Sequence, residues 1–295
     1  MSSRTDISRI PYDWPNKAWS QSIKLAGINW HYQLSQHANA NARVLVFIHG
    51  TGASAHSWAP IFHHLRQTYT VLAVDLPGHG FSVGAVKSQL RIEEISKHLK
   101  ILFETIGYPE PHVLIGHSAG TNCALHLSLL LKKTPAAIIG FNPSLVNPLN
   151  SLLMFLSPLV HPLLTSNLTA SILAASIPKT NLINALLDST NSILSEVQRA
   201  PYRTLFKEQN HIYGSMNFMA ATNIPELLAK SVHLETQFTF LVGKDDQWVP
   251  QSSLLPVLET HFPKATIHLE DGGHLFHEVN PQRSIEMIQQ AIDQL

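Results

Sequence analysis

Gly116-His117-Ser118-Ala119-Gly120 sets one serine between two glycines, directly after the apolar run His112–Ile115 and before Ala119–Lys132, whose pattern predicts a helix. A tight turn from strand to helix holds such a serine in a strained conformation and lifts its Oγ clear of the backbone. Glycines flank it because strand and helix then approach too closely for Cβ atoms. A serine nucleophile needs a base, and the base needs an orienting acid. His274 occupies the turn Asp271-Gly272-Gly273-His274 behind the run Thr266–Leu269, where a loop leaving a neighbouring strand can return it over Ser118. For the acid, Asp245 and Asp246 stand side by side behind the apolar run FTFLV, and residue type alone does not choose between them. Acyl transfer also requires donors for the developing oxyanion. One is expected from the N–H of Ala119. The other is expected from Thr51, in the turn His49-Gly50-Thr51-Gly52 that follows VLVFI.

Other chemistries find less support. No G-x-G-x-x-G follows a strand, and no Walker A pattern occurs, so dinucleotide and nucleoside-triphosphate chemistry are not indicated. His274-Leu275-Phe276-His277-Glu278 matches no zinc-binding spacing, and neither metal nor cofactor is expected. The turn Asp75-Leu76-Pro77-Gly78-His79-Gly80 is read as structural, His49 as packed beneath the site, and Cys123 as a small buried residue.

The elements that must position these groups alternate along the chain. SIKLA and INWHYQL read as an antiparallel hairpin around Gly27. Val44–Ile48 reads as a strand buried on both faces and Thr70–Val74 as another buried strand; His112–Ile115, Ala136–Phe141, Phe238–Gly243 and Thr266–Leu269 also read as strands. Ser57–Arg66, Arg91–Ile106, Ala119–Lys132, Ser252–His261 and Pro281–Asp293 read as helices between them. Strands alternating with helices predict an α/β fold, a mostly parallel eight-stranded sheet with helices on both faces. The alternation stops between Pro143 and Glu235. A stretch of that length is expected to be a helical cap, 143–235, inserted into a core of 1–142 and 236–295.

The serine turn, the HGTG and DLPGHG turns and the pairing of DxxVP with GGH together resemble the α/β-hydrolase family over roughly residues 20–295. That resemblance implies Asp246 as the acid, three residues before Val249-Pro250, and a chain order Ser118, Asp246, His274. Within the family, Asp13–Asn16, Asn29–His31, His49–Trp58, Asp75–Phe81 and Gly273–Glu278 resemble the magnesium-chelatase accessory proteins of bacteriochlorophyll biosynthesis. The resemblance implies a role near magnesium insertion into porphyrin but supplies no defined reaction. Three functions therefore stand side by side. One is a serine hydrolase of a hydrophobic ester. Another is carbon–carbon bond hydrolysis or cofactor-free haloperoxidase-like chemistry on the same triad. The third is a non-catalytic porphyrin-binding accessory protein of magnesium chelatase.

Composition narrows the partners. Among 295 residues, 20 Lys+Arg balance 20 Asp+Glu, so nucleic acid is not an expected partner. No residue from Thr134 to Pro178 is charged. Prolines and polar residues interrupt that stretch, which favours a hydrophobic wall above Ser118 over a membrane helix, with a peripheral membrane contact as a lesser alternative. The single Cys123 cannot close an intrachain disulfide and MSSRTDISRIPYDWPN carries no leader-like run, so a cytoplasmic location is expected. With 18 histidines and few other charges, the surface is expected to rely on neutral polar groups and histidines and to turn positive in mild acid.

Overall fold

The computed structural model describes residues 7–146, 165–219 and 223–295. The middle of the uncharged run expected to roof Ser118, 147–164, lies outside the described residues. Eight strands form one sheet: β1 (Ser20–Leu25), β2 (Ile28–Ser35), β3 (Val44–Ile48), β4 (Thr70–Val74), β5 (Val113–His117), β6 (Ala137–Phe141), β7 (Gln237–Gly243) and β8 (Thr266–Glu270). Their order is β1-β2-β4-β3-β5-β6-β7-β8. The hairpin β1–β2 joins antiparallel to β4, and β3 to β8 are all parallel to one another.

The continuous apolar runs follow from burial on both faces. Val46 and Ile48 of β3 enter the core beneath α2 (Ile92–Thr105), α3 (Ala119–Ser128) and the C-terminal helix Gln251–His261. Leu45 and Phe47, pointing the other way, meet α1 (Ala59–Leu65) and Pro281–Asp293. At roughly 25 cal/mol per Å² of apolar surface, these two cores supply most of the driving force for the fold.

Boundaries differ from the sequence reading at element ends. The helix expected over Ala119–Lys132 stops at Ser128, and Leu129 to Leu131 close it in turns onto the carbonyls of Leu125 and Leu127. Phe276–Val279, between the turn of His274 and the last helix, is a short helix.

Between β6 and β7 the described residues are helical: α4 (Asn167–Ser176), α5 (Leu182–Asp188), α6 (Glu196–Leu205), α7 (Gln209–Met219) and α8 (Ile224–Ser231). The first four share an apolar cluster with Ala53 and Leu275, which sit beside the HGTG turn and beside His274. The inserted helices thus pack on the HGTG turn and on the turn that holds His274. Among the described residues no helix is long and apolar enough to cross a membrane.

Histidine placement departs from expectation. Among the described residues, His31, His49, His56, His79, His117, His126, His211, His274 and His277 are buried. An imidazole ring offers an apolar body and two hydrogen-bonding nitrogens, so it serves as an interior connector as readily as a surface group.

Candidate active site

Six parallel strands bring their carboxyl ends to one edge of the sheet, the edge where ligands bind in open α/β folds. Ser118 stands there at the end of β5 with φ 51° and ψ −123°, a conformation that non-glycine residues avoid. Its main-chain N–H donates to Phe141 O at 2.9 Å. A Cβ on Gly116 would come within 2.5 Å of the Thr121 backbone, and one on Gly120 would run into the carbonyl of Ile48. The two flanking glycines therefore permit the close crossing of strand and helix.

His274 and Asp246 meet in the interior, with Nδ1 to Oδ2 at 2.7 Å. Both are nearly inaccessible, at 2% and 4% exposure. The second carboxylate oxygen of Asp246 accepts from the N–H groups of Trp248 at 2.8 Å and Val249 at 2.9 Å. Its lone pairs are thereby committed and the ring Nδ1–H is held toward it, leaving Nε2 as the basic nitrogen. Asp245 points into solvent and contributes only main-chain groups. The same sequence pair thus divides into one buried acid and one exposed one.

Ser118 is joined to the His274 loop through its neighbour. Nε2 of His117 lies 2.9 Å from the carbonyl of His274, so that nitrogen carries the hydrogen and donates. Burial, together with the adjacent His277 and His274, holds the His117 imidazole well below its ordinary pKa. Asn142, directly after β6, adds a second tie. Its Nδ2 donates to Gly273 O at 3.1 Å and His274 O at 2.9 Å, and its Oδ1 accepts from Gly243 N at 2.6 Å.

The HGTG turn runs against Ser118: a Cβ on Gly50 would sit 3.0 Å from Ser118 Cβ. His49 Nδ1 donates to Gly50 O at 2.7 Å, and Nε2 accepts from Leu76 N at 3.0 Å. Burial keeps this ring neutral by lowering its pKa. Ala119 opens α3, where main-chain N–H groups have no acceptor within the helix.

From the opposite side His211 of α7 reaches the same turn. Gly80 N donates to its Nδ1 at 3.0 Å, so Nε2 carries the hydrogen and donates to Gly52 O at 3.1 Å. Burial presses this imidazole down to about 4, with the bond to Gly52 opposing. Beneath the turn, Asp75 is a fully buried carboxylate that accepts from Ala55 N, Phe81 N and His31 Nδ1 at 2.7–2.8 Å. Burial alone would raise its pKa; the His31 and His49 rings and the Ala55 N–H outweigh that and hold it at about 2. The DLPGHG turn is structural through this carboxylate as well as through its glycines.

Sequence reasoning missed Asn142, His211 and Trp248 as parts of this region. Asn142 carried the one available signal, since it stands where some folds of this kind place the acid. His211 carried none, because it lies within a helix far along the chain.

These features define the class. A family model for the alpha/beta hydrolase fold matches residues 43–281, and the chain belongs to that family. Among curated relatives, the magnesium-chelatase 30 kDa subunit of Rhodobacter capsulatus is 28% identical over 280 residues, covering 93% of this chain and 94% of that protein. Among solved structures, the enol-lactonase of Burkholderia xenovorans LB400 superimposes with a TM-score of 0.71 at 17% identity, over 92% of this chain and 99% of that one. The epoxide hydrolase CorEH gives 0.73 at 17% identity, over 93% and 98%. At such identities the structural likeness carries the fold alone.

Proposed function

We propose that this chain is a serine hydrolase of a hydrophobic ester or related carbonyl compound. Ser118 Oγ attacks the carbonyl carbon while His274 Nε2 takes its proton. Asp246 holds the His274 tautomer and stabilises the imidazolium that forms. The N–H groups of Ala119 and Thr51 receive the oxyanion. Collapse expels the leaving group with the proton from His274, and water hydrolyses the acyl-enzyme by the same steps in reverse. The observation that carries this reading is the buried 2.7 Å pair of His274 and Asp246 at the strand edge that also bears the strained Ser118. The segment 143–235 acts as the cap in this reading, the apolar side chains of its described helices favouring a hydrophobic acyl or alcohol group. A fluorophosphonate probe should label the wild type and leave Ser118→Ala unlabelled, and aryl esters should be turned over by the first alone. Equal labelling of both would sink the reading.

A second function has one specific observation behind it, the likeness along nearly the whole chain to a protein named as a magnesium-chelatase subunit. In that reading the chain binds a porphyrin for the chelatase and its triad is idle. Tetrapyrrole binding that survives Ser118→Ala, without ester turnover, would favour it over hydrolysis.

A further inference from the structure

We infer that Ser189–Ser192, the segment between α5 and α6, is a positioning strap for the general base. The inference rests on the hydrolase reading in taking His274 as that base. Four successive residues of the segment each bind a loop that carries the base or its acid. Thr190 O accepts from His274 N at 2.9 Å. Ser192 Oγ accepts from Leu275 N at 2.8 Å. Asn191 Nδ2 donates to Asp245 O at 3.0 Å. Ser189 Oγ accepts from the indole Nε1 of Trp248 at 3.1 Å.

That indole lies against the His274 imidazole, with ring centroids 5.3 Å apart and planes 33° from parallel. Trp248 thereby flanks the base on one side, and its own ring is anchored from the strap. Asn191 has φ 53°, a left-handed conformation that asparagine tolerates better than most residues. Thr190 and Ser192 are buried at 2% and 5% exposure, so their bonds are shielded from water.

The geometry explains why an outer tie is needed. The sheet side of the His274 loop is fixed by Asn142 and His117, both bonding the His274 carbonyl. Without the strap, the ring could still pivot outward about that carbonyl and pull Nδ1 away from Asp246. A displacement of about 1 Å in a reacting group costs on the order of 100-fold in rate. The strap closes the outward side by holding the His274 N–H and the Asp246 loop to one rigid run of backbone.

The test uses the full-length chain with Asn191→Gly, Ser192→Ala and Ser192→Thr. Asn191→Gly keeps the left-handed backbone and deletes only the amide bond; Ser192→Thr retains the hydroxyl. Three signals are read on folded protein: the downfield proton resonance of His274 Nδ1–H, the acid limb of the kcat/KM pH profile, and the fluorophosphonate labelling rate of Ser118. Asn191→Gly and Ser192→Ala should broaden or shift the resonance, move the acid limb, and slow labelling by about 10- to 100-fold with KM little changed. Ser192→Thr should restore all three. Should Ser192→Ala not fold, Asn191→Gly decides alone. A resonance and labelling rate that stay at the wild-type value in a folded variant overturn the strap. If the wild type is not labelled at all, the hydrolase reading fails, and the His274 resonance still decides whether the strap orients the ring.

Discussion

Inside the protein the Tyr202 hydroxyl donates to Glu278 Oε1 at 2.5 Å, joining α6 to the short helix that follows His274. Gln198, one turn earlier on α6, donates to the Glu278 carbonyl. Burial pushes the Glu278 carboxyl up to about 8, opposed by the Tyr202 hydroxyl, so the group is neutral at pH 7. A folded-state pKa raised above the unfolded value of ~4.3 gives stability that is complete below that value and is lost as pH climbs through 8. Glu278→Gln preserves an acceptor for Tyr202 and removes the titration. Urea midpoints should then coincide near pH 5 and separate by pH 8.5, the variant being more stable by on the order of 1–3 kcal/mol. A separation that does not grow with pH would count against a neutral Glu278.

The buried histidines act in the opposite direction. Burial lowers His56 and His277 to about 3 and His211 to about 4, and depresses His49, His79 and His117 as well. Their stabilising contribution is complete above the unfolded value of ~6.5 and is lost as pH falls, because the unfolded chain takes up protons that the folded chain refuses. Each such ring contributes up to about 1.4 kcal/mol per pH unit once the unfolded histidine is fully protonated. Stability should therefore peak near neutrality and fall steeply between pH 6.5 and 5. Calorimetric unfolding at several pH values should report an uptake of several protons on the acid side. An uptake near one would contradict the buried, neutral rings.

Asp246→Asn should leave the fold intact and lower kcat by about 10³- to 10⁴-fold, the range seen when a triad loses its acid. An amide can donate to Nδ1 and favour the tautomer that puts the hydrogen on Nε2, where the base must be free. Asp245→Asn, at an exposed side chain, should change kcat by less than about threefold. Steady-state kinetics on an aryl ester separate the two. Comparable losses in both variants would overturn the assignment of the acid.

Gly214 of α7 meets the DLPGHG turn backbone to backbone, and a Cβ there would run into the carbonyl of Gly78. Alanine is favoured over glycine in a helix by about 1 kcal/mol. The overpacking opposes this by about 1–3 kcal/mol or more, since the atoms it would meet are backbone atoms that cannot rotate away. Gly214→Ala should thus lower the thermal midpoint despite its better propensity. The same variant should slow ester turnover, because His211 on that helix leans on Gly52. An unchanged or higher midpoint would show that the contact relaxes freely.

The parts legible in the sequence were those with a local pattern. VLVFI and TVLAV are apolar throughout because both faces of β3 and β4 are covered, and that alternation of strands and helices was enough for the fold. Ser118 and His274 stood out because each follows a strand in a glycine turn. Residue type could not choose between Asp245 and Asp246, which depends on which of two adjacent side chains turns inward; the spacing to Val249-Pro250 pointed to Asp246 through the resemblance, and Asp246 is the one that meets His274. Thr190, Asn191, Ser192 and His211 left no trace, since a polar residue between or within helices looks the same whether it faces water or a distant loop. The histidine count carried no placement for a related reason, because composition does not reveal which rings lie in the interior.

The backbone contacts at Gly78–Gly214, and the absence of a side chain at Gly273 where Asn191 crosses it, bear on how this segment could be exchanged. A helical segment grafted from a relative would not fit this sheet as an independent module, because its seating depends on missing side chains in the recipient's own turns. A working chimera would have to transfer Gly78 and Gly273 together with the helices. Diversification of the inserted helices is therefore tied to glycines that lie outside them.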